Sequence, residues 1–378
     1  MKTIVFLGNT CNYSFLYHKY TSLFTNCHSY SIIDYHEIKR DFPSWYEKDF
    51  YKIPNVFLIN LKSKISYFYF FLKFIKQIGR KNISFHCFGL QSCILPLIFR
   101  VDFIYHGYGD ILSTPFLENY KIKTLLRVLL SKFSLKYCKF MIVSHSTDIP
   151  YVKHFNVNNN KIKYIPIING DLNHGIKNLK SDIDSLFDEN KIIFVPTRNT
   201  EIKQLDILID SLINIFDKNS SLFDENKIKI VFIKWGNLWE QHKHKFEQHK
   251  IDEYVFWIDL QSGEKLQDLL IKSYLIINEF TDPIKYPGFI GGITREAMSL
   301  GKPIITHYSF IHDHLFHKTR PPLIEFENNV TSLEKVLYNT IKLNNEDMLL
   351  FGKKMKTWYD SEYKKAELIT KTINLHFE

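Results

Sequence analysis

Two segments far apart in the chain carry residue types suited to holding an anion. The later one reads Gly291-Gly292-Ile293-Thr294-Arg295-Glu296-Ala297-Met298-Ser299-Leu300-Gly301-Lys302-Pro303-Ile304-Ile305. The pattern predicts two glycines opening a helix, an acid in its first turns, a glycine closing it and a strand directly after. Glycines at a helix start let free backbone N–H groups come close to an anion, and the helix dipole favours negative charge there. The same pattern also serves as a tight loop–helix junction between two core elements. The earlier segment, Ile192 to Ile209, predicts an apolar strand, a loop with Arg198 and Lys203, and an amphipathic helix from near Asp206. Two cations at the carboxyl end of a strand suit a diphosphate, Arg as a planar fork and Lys as a compact charge. The alternative is a pair of solvated surface cations. A third position is His106 in Ile104-Tyr105-His106-Gly107-Tyr108-Gly109-Asp110, after an apolar strand and before glycines that permit close backbone approach. It reads either as a site residue or as a histidine capping a strand end.

Together the two anion-handling segments resemble the donor half of the GT-B glycosyltransferases, specifically glycosyltransferase family 4. In that family a strand is followed by an Arg, a Lys five positions on and an Asp three further; Arg198, Lys203 and Asp206 keep this spacing. The family's later motif has two glutamates separated by seven residues with a glycine between them. Glu296-Ala297-Met298 and the Ser299–Ile305 run match it, and Gly291 falls on the internal glycine. The first glutamate is replaced by Gly288, and the resemblance points to Glu279 or Asp282 as the acid that takes its place. The stretch Tyr254–Leu260, with Trp257 and Ile258, looks like the family's base-binding strand. Residues Ile104–Asp110 are similar to the His-Gly…Asp loop of many acceptor domains, and Ile142–Ser146 and Tyr164–Pro166 to the last strands before the domain crossover.

The resemblance implies an α/β fold of two Rossmann-like domains (GT-B), parallel sheets flanked by helices, with an interdomain cleft. It implies transfer of a hexosyl group from a nucleotide-diphospho-sugar to a saccharide or lipid-linked acceptor, with retention, in cell-surface glycan or glycolipid synthesis. Arg198 and Lys203 would stabilise the leaving diphosphate, and His106 would sit beside the transferred sugar. Gly291, Gly292, Ile293, Thr294, Glu296, Glu279, Asp282, Trp257 and Ile258 would bind the donor, Glu296 by accepting hydrogen bonds from the ribose hydroxyls. Gly8, Asn9 and Asp110 would lie on the acceptor side. No cofactor and no metal is implied, since protein cations and a helix N-terminus meet the diphosphate charge. The rival enzymes are a sugar-nucleotide epimerase or a sugar phosphorylase of the same fold. A non-catalytic basic membrane or RNA adaptor would explain the charge described below but not the spacing of Arg198, Lys203 and Glu296.

The elements that must position these residues follow from length and pattern. At 378 residues, with 45% hydrophobic and 24% charged content, the chain fits two globular domains of ordinary size. Short apolar runs alternate with helical patterns, the signature of βα units and parallel sheets. The expected strands are Thr3–Leu7, Tyr30–Asp34, Val56–Asn60, Ser84–Phe88, Phe103–His106, Phe140–Ser144 and Lys163–Pro166, then Ile192–Pro196, Lys229–Trp235, Tyr254–Ile258, Leu275–Asn278, Pro303–His307 and Pro322–Glu325. The first of them breaks into a glycine turn at Gly8-Asn9. The expected division is an acceptor domain over 1–170, a linker over 171–190 and a donor domain over 191–350. The resemblance adds a terminal helix over 351–378 that crosses back to the first domain. The heptapeptide Ser185–Lys191 recurs at Ser221–Lys227, each copy leading into a strand, and Thr331-Ser332-Leu333-Glu334 is a candidate capping box.

The five cysteines form no C-x-x-C pair, which favours reduced thiols in a cytoplasmic protein. The first apolar run is too short for a signal peptide, and none approaches the ~18–20 residues of a membrane span. The net charge of +9 is uneven: residues 1–180 carry 24 Lys or Arg against 10 Asp or Glu, and no acid occurs between Asp49 and Asp102. In the Lys62–Lys81 segment Ile65, Phe68, Phe71, Leu72 and Ile75 form a helical core stripe, with Tyr67, Tyr69, Phe70 and Phe74 off it. The Lys121–Phe140 segment repeats the theme with Leu125, Leu126, Val128, Leu129 and Leu130 among lysines. Such helices either dock on an anionic membrane, here the inner face, or flank a sheet with a solvated charged face. Nucleic acid is not expected, because the aromatics interleave with a core stripe rather than lie on an open sheet. His242, His244 and His249, and later His307, His312, His314 and His317, read as surface or loop histidines rather than metal ligands.

Overall fold

The computed structural model describes residues 3–8, 13–34, 50–59, 64–107, 122–169, 184–261, 263–278, 280, 290–308, 310 and 313–377. The chain forms two compact units. The first comprises Met1–Gly170, Leu315–His317 and Tyr363–Glu378, the second Asp171–His314 and Lys318–Glu362.

The first unit runs β1 (Thr3–Leu7), α1 (Tyr13–Phe24), β2 (Ser29–Asp34), β3 (Val56–Ile59), α2 (Lys64–Ile78), β4 (Ile83–Phe88), α3 (Ile94–Ile98), β5 (Phe103–Gly107), α4 (Ile122–Tyr137), β6 (Phe140–Val143), α5 (Ile149–His154) and β7 (Ile162–Tyr164). Its seven strands pair in parallel in the order β3-β2-β1-β4-β5-β6-β7. Helices on both faces explain why strands such as Ile83–Phe88 are buried along their whole length. Side chains alternate between the faces. Val5, Leu7, Phe85, Cys87, Phe103, Tyr105, Met141 and Val143 pack under α2 to α5, against Phe71, Phe74, Leu95, Leu135 and Ile149. Phe6, His86, Phe88 and His106 point the other way, where Tyr17 of α1 meets Phe6, Phe88 and His106. Cys27, Cys87, Cys93 and Cys138 are free thiols.

Two helices of this unit turn differently from the expected stripes. In α2 the buried residues are Phe71 and Phe74, with Phe70 and Ile75 packed beside them, while Phe68 and Leu72 are exposed. A run that is apolar nearly all round has no phase, so the sheet, not the sequence, selects the face. In α4 the sheet side is Ser131, Ser134 and Leu135, and Leu129, Phe133 and Tyr137 lie exposed. Small residues let the helix lie close to the strands. The side chains of Ile65, Tyr67, Leu125 and Leu126 lie outside the described residues.

The second unit runs α6 (Asp184–Glu189), β8 (Lys191–Val195), α7 (Asp206–Lys218), α8 (Ser221–Glu225), β9 (Ile228–Ile233), α9 (Trp239–Gln248), β10 (Val255–Ile258), α10 (Gly263–Lys272), β11 (Leu275–Asn278), α11 (Gly292–Ser299), β12 (Ile304–Thr306), β13 (Ile324–Glu325), α12 (Val330–Ile341) and α13 (Asn345–Glu362). Its six strands are parallel in the order β10-β9-β8-β11-β12-β13. Both copies of the repeated heptapeptide fold as a short helix before a strand and bury their phenylalanine, Phe187 and Phe223. The linker expected over 171–190 therefore ends in a helix of this unit; 171–183 lie outside the described residues. The cap of α12 is Asn329, whose side chain accepts from the Ser332 N–H, rather than a box built on Thr331. Glu334 instead meets Asn214 and Lys218 on α7. The single terminal helix expected from 351 is two helices. The second, α14 (Lys365–Asn374), belongs to the first unit and packs on α1, so the change of unit falls at Tyr363, where Lys364 is extended.

Candidate functional site

In the second sheet β8 has β9 on one side and β11 on the other, so the order of the strands reverses between β8 and β11. Ligands of open parallel sheets bind outside the carboxyl ends of the strands at such a reversal. Arg198 lies on the loop leaving β8, and α11 follows β11 after residues that are not described. A buried hydrogen-bond chain joins the two. Thr197 Oγ1 donates to Asn278 Oδ1 at 2.7 Å, and Asn278 Nδ2 donates to Thr294 Oγ1 at 3.2 Å. The two sequence segments are thus linked through Asn278, at the end of the strand β11.

Arg198 is exposed, and its guanidinium carbon stands 4.8 Å from the centre of the Trp235 ring. Lys203 closes a short 3₁₀ turn, Glu201–Lys203, its N–H donating to Thr200 O at 2.9 Å. Gln204 then takes a left-handed conformation, φ 44°, which redirects the chain into α7. Asn199, next to Arg198, is fully buried. Its Nδ2 donates to Ile233 O at 2.9 Å and Trp235 O at 3.2 Å, and its Oδ1 faces His242 Nδ1 at 2.9 Å.

Gly291 is the N-cap of α11 in extended conformation, and no side chain caps the helix among the described residues. Gly292 is exposed, Ile293 half-buried and Thr294 buried. Arg295 is buried and turns back, Nη1 donating to Ile290 O at 2.7 Å, so a cation braces the turn from inside. At its far end the helix closes as expected: Gly301, φ 69°, and Lys302 donate to Met298 O and Ala297 O, a Schellman motif. Glu296 is half-buried, and burial pushes its carboxyl up to about 7 against the lowering pull of Arg295. Its carboxyl oxygens take part in no hydrogen bond or ion pair among the described residues. On β10, two strands from β8, Trp257 stacks on Phe232 at 4.9 Å, and Ile258 O accepts from Lys234 N at 2.7 Å. Glu279, Asp282 and Gly288 lie outside the described residues.

In the first unit Gly8 ends β1 at the corresponding reversal, between β1 and β4. Its φ is 106°, and a Cβ there would stand 2.4 Å from Phe88 O. Asn9 and Asp110 lie outside the described residues. His106 is fully buried in the core, stacked on Phe88 at 4.2 Å, rather than displayed at the strand end. Its Nε2 is 2.7 Å from His86 Nδ1, and His86 Nε2 is 2.6 Å from His376 Nε2, just after α14. Desolvation, with a smaller effect of His376, pushes His106 down to about 3, and burial lowers His86 strongly as well. This chain of three buried imidazoles, His106 and His86 held neutral, thus occupies the ring that the resemblance set beside a sugar. Two further histidines expected at the surface, His242 and His317, are buried, the latter bonded to Tyr363 Oη at 2.7 Å. His244 and His314 are exposed, and His312 lies outside the described residues.

Thr197, Asn199, Trp235, Asn278 and Arg295 were not singled out from the sequence as site residues, and His242 was read there as a surface or loop histidine. Asn278 and Asn199 carried a signal there, as polar residues at the carboxyl ends of apolar runs.

No family model matches the chain, and no curated protein matches it in sequence. Its fold is shared with solved structures across nearly the whole length. HepE from Anabaena in complex with UDP-glucose superposes with a TM-score of 0.69 at 13% identity, covering 99% of this chain and 100% of that one. Sucrose-phosphate synthase from Thermosynechococcus elongatus gives 0.68 at 10% identity, covering 100% and 98%. A glycosyltransferase from Rickettsia africae gives 0.68 at 12% identity, covering 99% and 97%. The chain therefore has the α/β architecture of the GT-B glycosyltransferases, two units each built on a parallel sheet flanked by helices.

Proposed function

We propose that this protein is a glycosyltransferase that moves a sugar from a nucleotide-diphospho-sugar to a saccharide or lipid-linked acceptor. The observation that carries the proposal is the meeting of the Arg198 loop and the α11 start at the strand-order reversal of the second sheet. In this reading Arg198 and Lys203 balance the charge that develops on the leaving diphosphate, and the N–H groups at Gly292 and Ile293 add the helix dipole. Preorganised positive groups of this kind stand in for a divalent metal, and retention of configuration belongs to the same proposal. Glu296, with no partner of its own among the described residues, accepts from the ribose hydroxyls. HepE has been solved with UDP and with UDP-glucose, which supports a uridine nucleotide as the first donor to try.

The acceptor side is proposed to lie near a membrane surface. What supports this is the outer face of α2, α3 and α4, where Phe68, Tyr69, Ile98, Leu129, Phe133 and Tyr137 are exposed among Lys73, Lys76, Lys132 and Lys136. No helix among the described residues is long and apolar enough to cross a membrane.

A thermal-shift panel of nucleotide-sugars tests the function. A donor at about 100 times its Kd should add about 2.7 kcal/mol of stability. No shift with any nucleotide-diphospho-sugar would sink the proposal. Conversion of the nucleotide-sugar without an acceptor would make the protein an epimerase, and dependence on inorganic phosphate a phosphorylase.

A further inference from the structure

Arg198 is a long, exposed side chain at the end of a loop, and such a group gives up rotamer freedom when it grips a ligand. Its neighbours restrict it beforehand. The Asn199 N–H donates to Trp235 O at 2.6 Å, and Asn199 O accepts from Leu238 N at 3.1 Å. With the two bonds from Nδ2, every backbone and side-chain polar group of Asn199 has a partner, and most hold the loop after β9. The loops meet closely: Gly236, φ 111°, has no room for a Cβ, which would stand 2.0 Å from Asn199 O.

Because Nδ2 must face two carbonyls, the amide of Asn199 has one orientation, with Oδ1 toward His242. An oxygen there only accepts, so His242 Nδ1 carries the proton and donates. The imidazole is almost wholly buried on α9, with Nε2 3.7 Å from Asp206 Oδ1 and Lys245 on the next turn. Thus His242 sets the amide, the amide sets the Trp235 backbone, and the Trp235 ring lies against the Arg198 guanidinium at 4.8 Å.

We propose that His242, Asn199 and Trp235 form a positioning device that holds the guanidinium of Arg198 ready for the diphosphate of a nucleotide ligand. This rests on the donor-site reading above, and the experiment separates the two. Calorimetric Kd values for UDP, with ADP and GDP alongside, are measured for the wild type, Arg198→Ala, Trp235→Ala, Trp235→Phe and His242→Ala. Both alanine changes are also made in the Arg198→Ala background.

Arg198→Ala should weaken diphosphate binding by about ten- to a hundredfold, as loss of a charge-assisted hydrogen bond does. Trp235→Ala and His242→Ala should each weaken it by about fivefold, and Trp235→Phe, which keeps a ring, by less than twofold. Once Arg198 is gone, neither alanine change should matter. A full additional loss in the Arg198→Ala background would mean that the three residues act on something else. No loss in the single variants, beside a clear loss in Arg198→Ala, would equally overturn the device. Failure of the wild type to bind any of the three nucleotides, or an Arg198→Ala variant that binds normally, would instead remove the donor site itself. Should His242→Ala not fold, the two Trp235 variants decide alone.

Discussion

At the strand-order reversal of the first sheet, Gly8 has no side chain, and its backbone lies against the Phe88 carbonyl. At the reversal of the second, Thr197 and Asn278 bridge the same gap with a 2.7 Å hydrogen bond. The winding is alike, but the polar groups go to different places. In the first unit they sink onto a sheet face as a buried chain, His106–His86–His376, that ties β4 and β5 to the end of the chain. In the second they gather at the strand ends and leave Arg198 exposed above them. A buried polar group must be satisfied internally, whereas one at a sheet edge can be left for a ligand. One topology therefore gives a scaffold in the first unit and, as proposed for the second, a site, depending on where its polar residues fall.

The largest effect expected from this contrast lies at the second reversal. Arg198→Ala or Lys203→Ala should lower turnover of a nucleotide-sugar by ~10²–10³-fold, as loss of a preorganised donor does, with the melting curve unchanged. Near-wild-type rates in both variants would break the contrast, since the two cations would then have no part in the site.

Glu296 sharpens the same comparison. Glu296→Gln should weaken nucleoside diphosphate binding by about ten- to a hundredfold at pH 8, because bonds to a charged acceptor are worth roughly 1.5–3 kcal/mol. Its carboxyl is pushed up to about 7, so it is protonated in the free protein below that pH and ionised above it. Affinity should therefore rise as pH rises through about 7 in the wild type, by up to about tenfold per unit. The Gln variant should be flat. A wild-type profile as flat as the variant's would make Glu296 a helix-start acid only.

What the sequence showed and hid follows the same division. The strands were legible because runs such as Ile192–Val195 and Leu275–Ile277 are apolar and bounded by turn residues, a local property. The loop that carries Arg198 and Lys203 and the glycine-opened start of α11 were legible as local structure because their strand, loop and helix patterns stand at short spacing. Asn199 with His242, and Thr197 with Asn278 and Thr294, were not, since each pairing joins residues brought together only by the sheet. The ring of His106 was misplaced for a related reason. A residue at a strand end can point to the edge or into a face, and the partner that decided it, His376, lies at the other end of the sequence.

The first unit makes its own prediction about pH. His106 and His86 are held neutral, with folded pKa values below the unfolded 6.5. The unfolded chain then binds more protons below that pH, so the stability they contribute is complete above about 6.5. It is lost as pH falls below that, toward about 3 for His106, at about 1.4 kcal/mol per pH unit for each histidine. The midpoint of thermal unfolding should drop between pH 7 and pH 5, and His106→Phe should make that drop shallower. An unchanged slope in the variant would mean that the histidine chain does not set the acid response.

The smallest effect per residue is expected on the outer face of the first unit. The helices there are joined: Phe68 of α2 meets Phe99 just after α3 at 5.5 Å, and Arg80 donates to Arg100 O. Their exposed rings and lysines carry no acid between Asp49 and Asp102, so the face suits an anionic lipid surface better than a protein of mixed charge. Each lysine near such a surface contributes about 1 kcal/mol, roughly a fivefold change in partitioning. Single changes such as Lys136→Glu should therefore be modest, and Lys73, Lys76, Lys132 and Lys136 changed together to Glu should abolish co-sedimentation with anionic vesicles. Salt should weaken binding, because exposed charges are screened beyond ~10 Å at about 0.1 M. UDP affinity should stay constant in the fourfold variant, since none of these lysines lies in the second unit. Phe133→Ser with Tyr137→Ser should lower vesicle binding at high salt more than at low salt, where charge still holds the protein. Equal binding to neutral vesicles would assign the face to its rings alone. Binding to neither kind would leave it exposed for a reason other than lipid, and would favour a saccharide acceptor free in solution.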